Sequence, residues 1–235
     1  VQSKDNAGNW DDTSNNDGPY YIDTADPSSS ISPDGTSWVN TDQDYDISCS
    51  DSTSGCSTTY WEEINDGNSC PSQGSFANSG TPTVSDTVTC SDGNTCLVDV
   101  CYYSDDEAGN TESTQRSGTF QIDKIDPSTS IDSPSSGSWQ NTDFSVATSD
   151  SDSDSGLSSC EYRVDDGNDG SYGSWQSRTC GSSFTVTVGS SAECSTEGSN
   201  SCAVQIRATD NAGNTNTYEN DYSIDYTDPS SSVDS

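Results

Sequence analysis

The chain has 235 residues, only 26% of them apolar, and carries 40 acidic against 6 basic residues for a net charge of −34, with no histidine. Such a chain cannot neutralise phosphates, so nucleic acid is excluded as a partner and an anionic membrane surface is disfavoured. Without histidine there is no histidine-based triad, imidazole acid/base or histidine metal ligand, and no enzymatic activity is expected.

In chain order, residues 1–25 read as the tail of a repeat: a turn at Asp5-Asn-Ala-Gly-Asn9, then a last strand through Tyr20 to Asp23. Residues 26–126 form a first whole repeat. Ser28 to Ile31 is its first strand, and Trp38 lies in a Gly-Thr-Ser-Trp turn. Tyr45, Ile47 and Cys49 alternate as the second strand, and a polar loop over Asp51 to Gly55 follows. Tyr60, Glu62 and Ile64 run to an Asp66-Gly67 turn, and Thr83 to Thr89 and Leu97 to Tyr103 supply further strands. Residues 127–228 repeat the order, with strands at Phe144 to Thr148, Cys160 to Val164, Phe184 to Val188 and Ala203 to Ala208. Residues 229–235 open another repeat.

One phrase recurs three times. Asp5-Asn-Ala-Gly-Asn9, Asp106-Glu-Ala-Gly-Asn110 and Asp210-Asn-Ala-Gly-Asn214 are each followed by Ile-Asp-x-x-Asp-Pro, ending at Pro27, Pro127 and Pro229. Its Asp-Pro steps, at 26, 126 and 228, lie 100 and 102 residues apart, the size of a small domain. Glycine and asparagine between two alternating runs are turn chemistry, and the proline ends the second run because it cannot donate to a ladder. The phrase is therefore a hairpin of penultimate and last strand. Seven or so short strands in about 100 residues predict an all-β fold of tandem Greek-key sandwiches.

Ten cysteines with no histidine read as a disulfide framework, which places the chain in an oxidising, extracellular compartment. Comparing the repeats, Cys90 and Cys96 match Cys194 and Cys202, and Cys56 and Cys70 match Cys160 and Cys180. Cys49 and Cys101 have no cysteine counterparts near Thr148 and Gln205 or Arg207, and two cysteines missing together point to a shared bond. The expected pairs are 49–101, 56–70, 90–96, 160–180 and 194–202. Six cysteines in one repeat allow fifteen pairings, and Cys101 is out of phase with Val98, Val100 and Tyr102.

The run Ser155-Gly-Leu-Ser-Ser-Cys-Glu-Tyr162-Arg-Val164-Asp-Asp166-Gly167, a later Trp175, Thr209-Asp210-Asn-Ala-Gly-Asn214 and Ile-Asp-x-x-Asp-Pro together resemble the Ig-like repeats of large bacterial and archaeal surface proteins. The resemblance covers nearly the whole chain in two copies. It implies Ig-like sandwiches in extracellular stalks, adhesins, filaments or surface layers, without catalysis; the density of cysteines departs from the usual pattern of such repeats and favours a disulfide-stapled structure built for durability.

Asp150-Ser-Asp152-Ser-Asp154-Ser-Gly156 sets carboxylates at alternate positions and closes on glycine, like the opening of a calcium loop. In an Ig-like sandwich this loop lies at the same end as the last hairpin turn and the incoming linker. That brings Asp150, Asp152 and Asp154 towards Asp210 and Asp126, with Asp51, Asp105 or Asp106, and Asp26 as their counterparts in the first repeat. These carboxylates read either as junction sites for calcium, the ion a structural cofactor, or as a solvated Asp/Ser surface. The reading that follows is a structural unit of an extracellular filament, stalk or cell-surface fibre, whose partners are copies of itself or further repeats of the same chain. The alternative is an adhesin module for a host-cell or carbohydrate ligand, with Tyr20-Tyr21, Tyr102-Tyr103 and Trp61 as a sugar-binding face. Core packing is the cheaper account of those aromatics. A longer array is the better account of the partial repeats at 1–25 and 229–235; the alternative is that the leading strand is donated to a neighbouring chain.

Overall fold

The structure is a computed structural model that describes residues 4–9 and 19–231. Short alternating runs in a serine- and threonine-rich chain satisfy their backbone only by pairing laterally, and they do so in two consecutive β-sandwiches. In the first, β1 (Ser28–Ser32), β2 (Gln43–Ser50) and β5 (Thr83–Val88) make a three-stranded sheet ordered β1-β2-β5. The facing sheet is ordered β4-β3-β6-β7, from β3 (Cys56–Asn65), β4 (Asn78–Gly80), β6 (Thr95–Asp106) and β7 (Gln115–Arg116). A further strand, β8 (Phe120–Asp123), also pairs β6.

The second sandwich repeats the plan. One sheet, ordered β14-β11-β9, holds β9 (Ser128–Ser133), β11 (Phe144–Ser151) and β14 (Phe184–Val186). The other, ordered β10-β16-β15-β12-β13, holds β10 (Trp139–Gln140), β12 (Leu157–Asp166), β13 (Gln176–Arg178), β15 (Gly198–Asp210) and β16 (Thr215–Ile224). These are tandem Ig-like Greek-key sandwiches, with the chain crossing between sheets after β2 and β5 and again after β11 and β14.

The penultimate strands set the frame. Val204, Ile206 and Ala208 of β15 are buried, and β12 and β16 flank the strand on both sides in antiparallel register, Ile206 facing Tyr162 and Tyr218. In β6 the inward set is Val100 and Tyr102, opposed by Tyr45 and Ile47 across the core. The last strand of the first sandwich is split into β7 and β8 at Gly118. A Cβ there would lie 2.8 Å from the Asp34 carbonyl oxygen, so only glycine lets the two backbones meet. Asp34 and Thr36 take up the strand's amide and carbonyl at that point, through Gly118 N to Asp34 Oδ1 (2.6 Å) and Thr36 N to Thr119 O (3.1 Å).

The cores are thin, with ten and eleven buried apolar side chains, so covalent staples matter. All ten cysteines are bridged. Cys90–Cys96, Cys160–Cys180 and Cys194–Cys202 are paired. The other two bonds are Cys49–Cys56 and Cys70–Cys101, not the expected 49–101 and 56–70. The reason is strand phase. Val100 and Tyr102 face the core, so Cys101 between them projects from the opposite face of its sheet, where the chain beyond β3 brings Cys70 over it. Cys49 follows Tyr45 and Ile47 on the inward phase of the other sheet and meets Cys56 across a short loop.

The aromatics offered as a sugar-binding face are largely used internally. Tyr103 stacks on Tyr60 with ring centroids 4.6 Å apart and takes the edge of Phe76 at 5.0 Å. Tyr102 is buried, and Trp61 Nε1 donates to Asp86 Oδ2 at 2.7 Å. Tyr20 and Tyr21 are exposed.

Candidate metal centres at the repeat junctions

The Asp-x-Ala-Gly-Asn phrase folds on itself. In the second sandwich Asp210 N donates to Asn214 O (3.1 Å), and Asp210 Oδ1 accepts from the amides of Gly213 (2.6 Å) and Asn214 (2.8 Å). Asp210 Oδ2 accepts from Asn214 Nδ2 at 2.8 Å. Gly213 sits at φ +96°, the left-handed region that explains why this position is glycine. Asp106 and Asn110 repeat the arrangement, with amides of Ala108 (2.9 Å) and Asn110 (2.8 Å) on Oδ1 and Asn110 Nδ2 on Oδ2 (2.7 Å). Burial pushes the Asp106 carboxyl up, but these hydrogen bonds outweigh it and hold the group below its ordinary value.

The terminal asparagine of each turn also reaches the linker. Asn214 Nδ2 donates to the Asp123 carbonyl (2.8 Å), and Asn110 Nδ2 to that of Asp23 (3.3 Å). The loop after the second strand closes the third side. Asp152 Oδ1 accepts from the amides of Asp154 (3.1 Å) and Gly156 (2.6 Å); Asp51 Oδ1 accepts from Thr53, Ser54 and Gly55 at 2.8–3.0 Å. Asn211 N to Gly156 O (2.8 Å) and Glu107 N to Gly55 O (2.9 Å) tie loop to turn. The linker carboxylate is seated on that loop, Asp123 Oδ2 accepting from Ser155 N (3.0 Å) and Asp23 Oδ2 from Ser54 N (2.9 Å).

The result is two matching clusters, Asp23/Asp51/Asp106 and Asp123/Asp152/Asp210, each with one oxygen per residue within 4.8 Å of the others. Asp106, Asp123 and Asp210 are buried. Among the described residues, no lysine or arginine forms an ion pair with any of the six. Beside each cluster lies a buried serine hydroxyl, Ser54 Oγ or Ser155 Oγ, with no hydrogen-bond partner. Oxygens on opposite sides of a calcium ion stand about 5 Å apart, which matches the spread of these carboxylates.

Of the sequence-derived ligands, Asp51, Asp106, Asp152 and Asp210 come together in these clusters. Asp26 and Asp126 do not: both are exposed, and the linker contributes the aspartate three residues earlier, Asp23 or Asp123. The recurrent Ile-Asp-x-x-Asp-Pro contains both choices, and the first aspartate follows directly on the last inward residue, Ile122, where the strand leaves one sandwich for the next. Asp105 lies outside the cluster and accepts from Thr111 Oγ1 at 2.7 Å. Asp154 is exposed and accepts from Ser153 Oγ at 3.1 Å.

Asp150 has a different role. Its carboxylate is clamped by Arg178, with Nη1 to Oδ2 at 2.6 Å and Nη2 to Oδ1 at 2.8 Å, and both side chains are shielded from solvent. Thr129 Oγ1 (2.6 Å) and the Gly181 amide (2.7 Å) also donate to it. Burial alone would push this carboxyl up; the Arg178 fork, Gly181 and Thr129 outweigh it and hold the group at about 2. The pair spans the two sheets from β11 to β13. Asp51 and Asp152 occupy the same place in their junctions, so Asp150 is the counterpart of Cys49. The ion pair therefore stands near where the first sandwich has the Cys49–Cys56 bond.

No protein-family model matches the chain, and no curated protein matches it significantly. Among solved structures, one described as the fibronectin(III)-like modules of Clostridium thermocellum CbhA aligns over 84% of this chain and 93% of that one, at 16% identity and a TM-score of 0.38. The fold assignment rests on the strand order and pairing given above, not on that likeness.

Proposed function

We propose that the chain is a structural repeat unit of an extracellular filament, stalk or surface fibre, and that calcium bound at the junctions holds successive sandwiches in a fixed relation. The observation that carries the reading is the duplication of one joint. Both junctions bring the same three carboxylates together, from linker, second loop and last hairpin turn, and both lock the linker backbone to the turn through an asparagine amide. Without a cation the arrangement is costly. Two like charges at 4.8 Å repel by about 3 kcal/mol at an effective dielectric constant of about 20. Asp123, Asp152 and Asp210 would supply carboxylate oxygens at one joint, and Asp23, Asp51 and Asp106 at the other; the ion would cancel the repulsion and bind linker, loop and turn into one unit. Five disulfides fit an oxidising, extracellular setting. Among the described residues, the exposed large apolar side chains beyond Tyr20, Tyr21 and Ile22 are Leu97, Trp139 and Tyr218, scattered over both sandwiches, which suits a repeating structural element better than an aromatic binding face.

The test is thermal unfolding of the oxidised protein with calcium and with a chelator, paired with small-angle scattering. Saturating a site to 100 times its dissociation constant adds about 2.7 kcal/mol, so the expected midpoint gain is about 10 °C or more, together with an extended, stiff scattering profile that is lost on chelation. Equal midpoints and equal dimensions in the two conditions would sink the reading.

A further inference from the structure

Within Pro19–Asp23, the stretch Tyr20–Ile22 is the most exposed apolar run among the described residues. Its Tyr20 and Ile22 are 81% and 80% exposed. By the recurrent phrase, these positions correspond to Phe120 and Ile122 in the first sandwich and to Tyr222 and Ile224 in the second. All four of those are 0% exposed, and they belong to the two cores. The same side-chain pattern is thus core in both places where a sheet receives it, and bare where none does.

Two further observations fix what would receive it. Upstream, Asp5–Asn9 already forms the hairpin turn that joins penultimate to last strand in both sandwiches. Asp5 N donates to Asn9 O (3.0 Å), Asp5 Oδ1 accepts from the amides of Ala7 and Asn9 (both 2.9 Å), and Oδ2 accepts from Asn9 Nδ2 (3.0 Å). Downstream, Asp23 holds the contacts to Ser54 and Asn110 that Asp123 holds to Ser155 and Asn214. The segment therefore leads into the first sandwich as β8 leads into the second.

We propose that Pro19–Asp23 is the last strand of a third sandwich of this kind, docking on a preceding body that lacks its own last strand and inserting Tyr20 and Ile22 into that body's core. The occupant is such a body joined ahead of the Asp5 turn, not a second copy of this chain, because both sandwiches of a second copy already hold their last strands, β8 and β16. The inference rests on the tandem-repeat reading above, and its test separates the two.

Residues 26–105 are joined ahead of Asp5 in the full chain, so that the added body meets the Asp5–Asn9 turn where it otherwise meets Asp106–Asn110. Hydrogen exchange then reads the amides of Tyr21, Ile22 and Asp23. The expected result is exchange about 100-fold slower than in the unextended chain, abolished by Ile22→Asp while the two downstream sandwiches stay protected. Unchanged exchange in the extended chain overturns the proposal. A second extended chain carrying residues 106–123 in place of 5–23 probes the parent reading. If its added sandwich is protected and Tyr21–Asp23 of the first construction are not, the strand assignment alone fails; if neither is protected, the tandem reading fails with it. Protection in the unextended chain that rises with concentration, alongside a dimer mass, overturns the assignment in favour of a second copy.

Discussion

Replacing Arg178 by methionine isolates the energetics of the buried pair in the second sandwich. The variant keeps much of the side-chain volume and removes the fork that neutralises Asp150, leaving a carboxylate with Thr129, the Gly181 amide and a longer contact from Thr148 Oγ1 (3.4 Å) as donors in a site without solvent access. Breaking a buried pair from one side costs about 3–5 kcal/mol, because the remaining charge is uncompensated. For a domain of this size that is a fall in midpoint of about 12 °C or more at pH 7. The pH dependence supplies an independent check. Asp150 has its carboxyl depressed from 3.8 to about 2. A depressed acid adds stability that is present above its unfolded value and is lost as pH falls through its folded value. In the wild type that is about 2 kcal/mol, present above about pH 4 and lost towards pH 2. The variant loses this acid limb, because protonating an unpaired buried carboxylate relieves it, so the gap between the two proteins narrows as pH falls. Hydrogen exchange of the β11 amides reports on this sandwich alone, and denaturant midpoints between pH 7 and pH 2.5 give the magnitude. A loss under about 1 kcal/mol at pH 7, or a loss independent of pH, would refute the assignment of Asp150 as a paired structural group. The double variant Asp150→Leu/Arg178→Met should recover most of the loss, since an apolar pair of similar volume leaves no orphaned charge.

Three other perturbations follow from the same structure. Asp152→Asn keeps a loop-capping oxygen for the Gly156 amide but removes one charge from its cluster; it should raise the chelated midpoint of the second sandwich while abolishing the calcium response there, and a variant that still responds fully by calorimetry would rule out that ligand set. Glu63, whose Oε1 accepts from the Tyr45 hydroxyl at 3.2 Å, is raised by burial and by the neighbouring Asp86 despite the tyrosine bond; native Glu63 therefore keeps its proton to higher pH than the unfolded chain, stability falls as pH rises through that value, and Glu63→Gln should stabilise the first sandwich at pH 7 but not below pH 4 in chemical denaturation. Removing Cys70–Cys101, with a sequence separation of 31, should cost about 4 kcal/mol, against about 2 for Cys49–Cys56 with a separation of 7, by loop-closure entropy; serine pairs compared by denaturant midpoint would show the order, and a reversed order would mean that local strain or loop packing dominates.

The strands, their order and the hairpin phrase were legible because they are written in local patterns. Val204, Ile206 and Ala208 alternate, glycine marks the left-handed turn position, and proline ends the last strand. Partners across the two sheets left weaker marks. Cys101 announced by its phase that it could not meet a cysteine on the inward face of β2, yet spacing alone offered no candidate above the outer face, because Cys70 arrives there on a loop. Two cysteines are missing together in the second repeat, and they are the counterparts of the bonded pair Cys49 and Cys56, namely Asp150 and Leu157. Matching Cys49 to Thr148 shifted the alignment by one turn of the pleat. The same shift hid Asp150, which looked like one more carboxylate in a run of them. Its one distinguishing mark lay 28 residues away, an arginine in a chain with only six basic residues.

Set side by side, the two sandwiches differ in how they hold themselves together and agree in how they are joined. Across the core, Tyr45, Trp61, Glu63 and Asp86 form a polar network in the first; the register places Val146, Tyr162, Val164 and Phe184 at those positions in the second, with Tyr162 stacked on Phe184 at 4.1 Å. The outer face of one is covered by Tyr60, Tyr103 and the Cys70–Cys101 bond, that of the other by Trp175 lying between Arg163 and Arg207 at 4.4 and 4.3 Å. A disulfide in one stands near where an ion pair stands in the other. Any of these solutions yields a sandwich, so stability alone leaves them free to vary between copies. The joint is the same in both: linker aspartate, loop aspartate and turn aspartate converge in one place, and the asparagine amide reaches the incoming backbone. A chain that varies its cores and repeats its joint fits the proposed function, in which the relation between units is what the repeats preserve. That is what the structural-fibre reading requires and what a single binding face on one repeat would not.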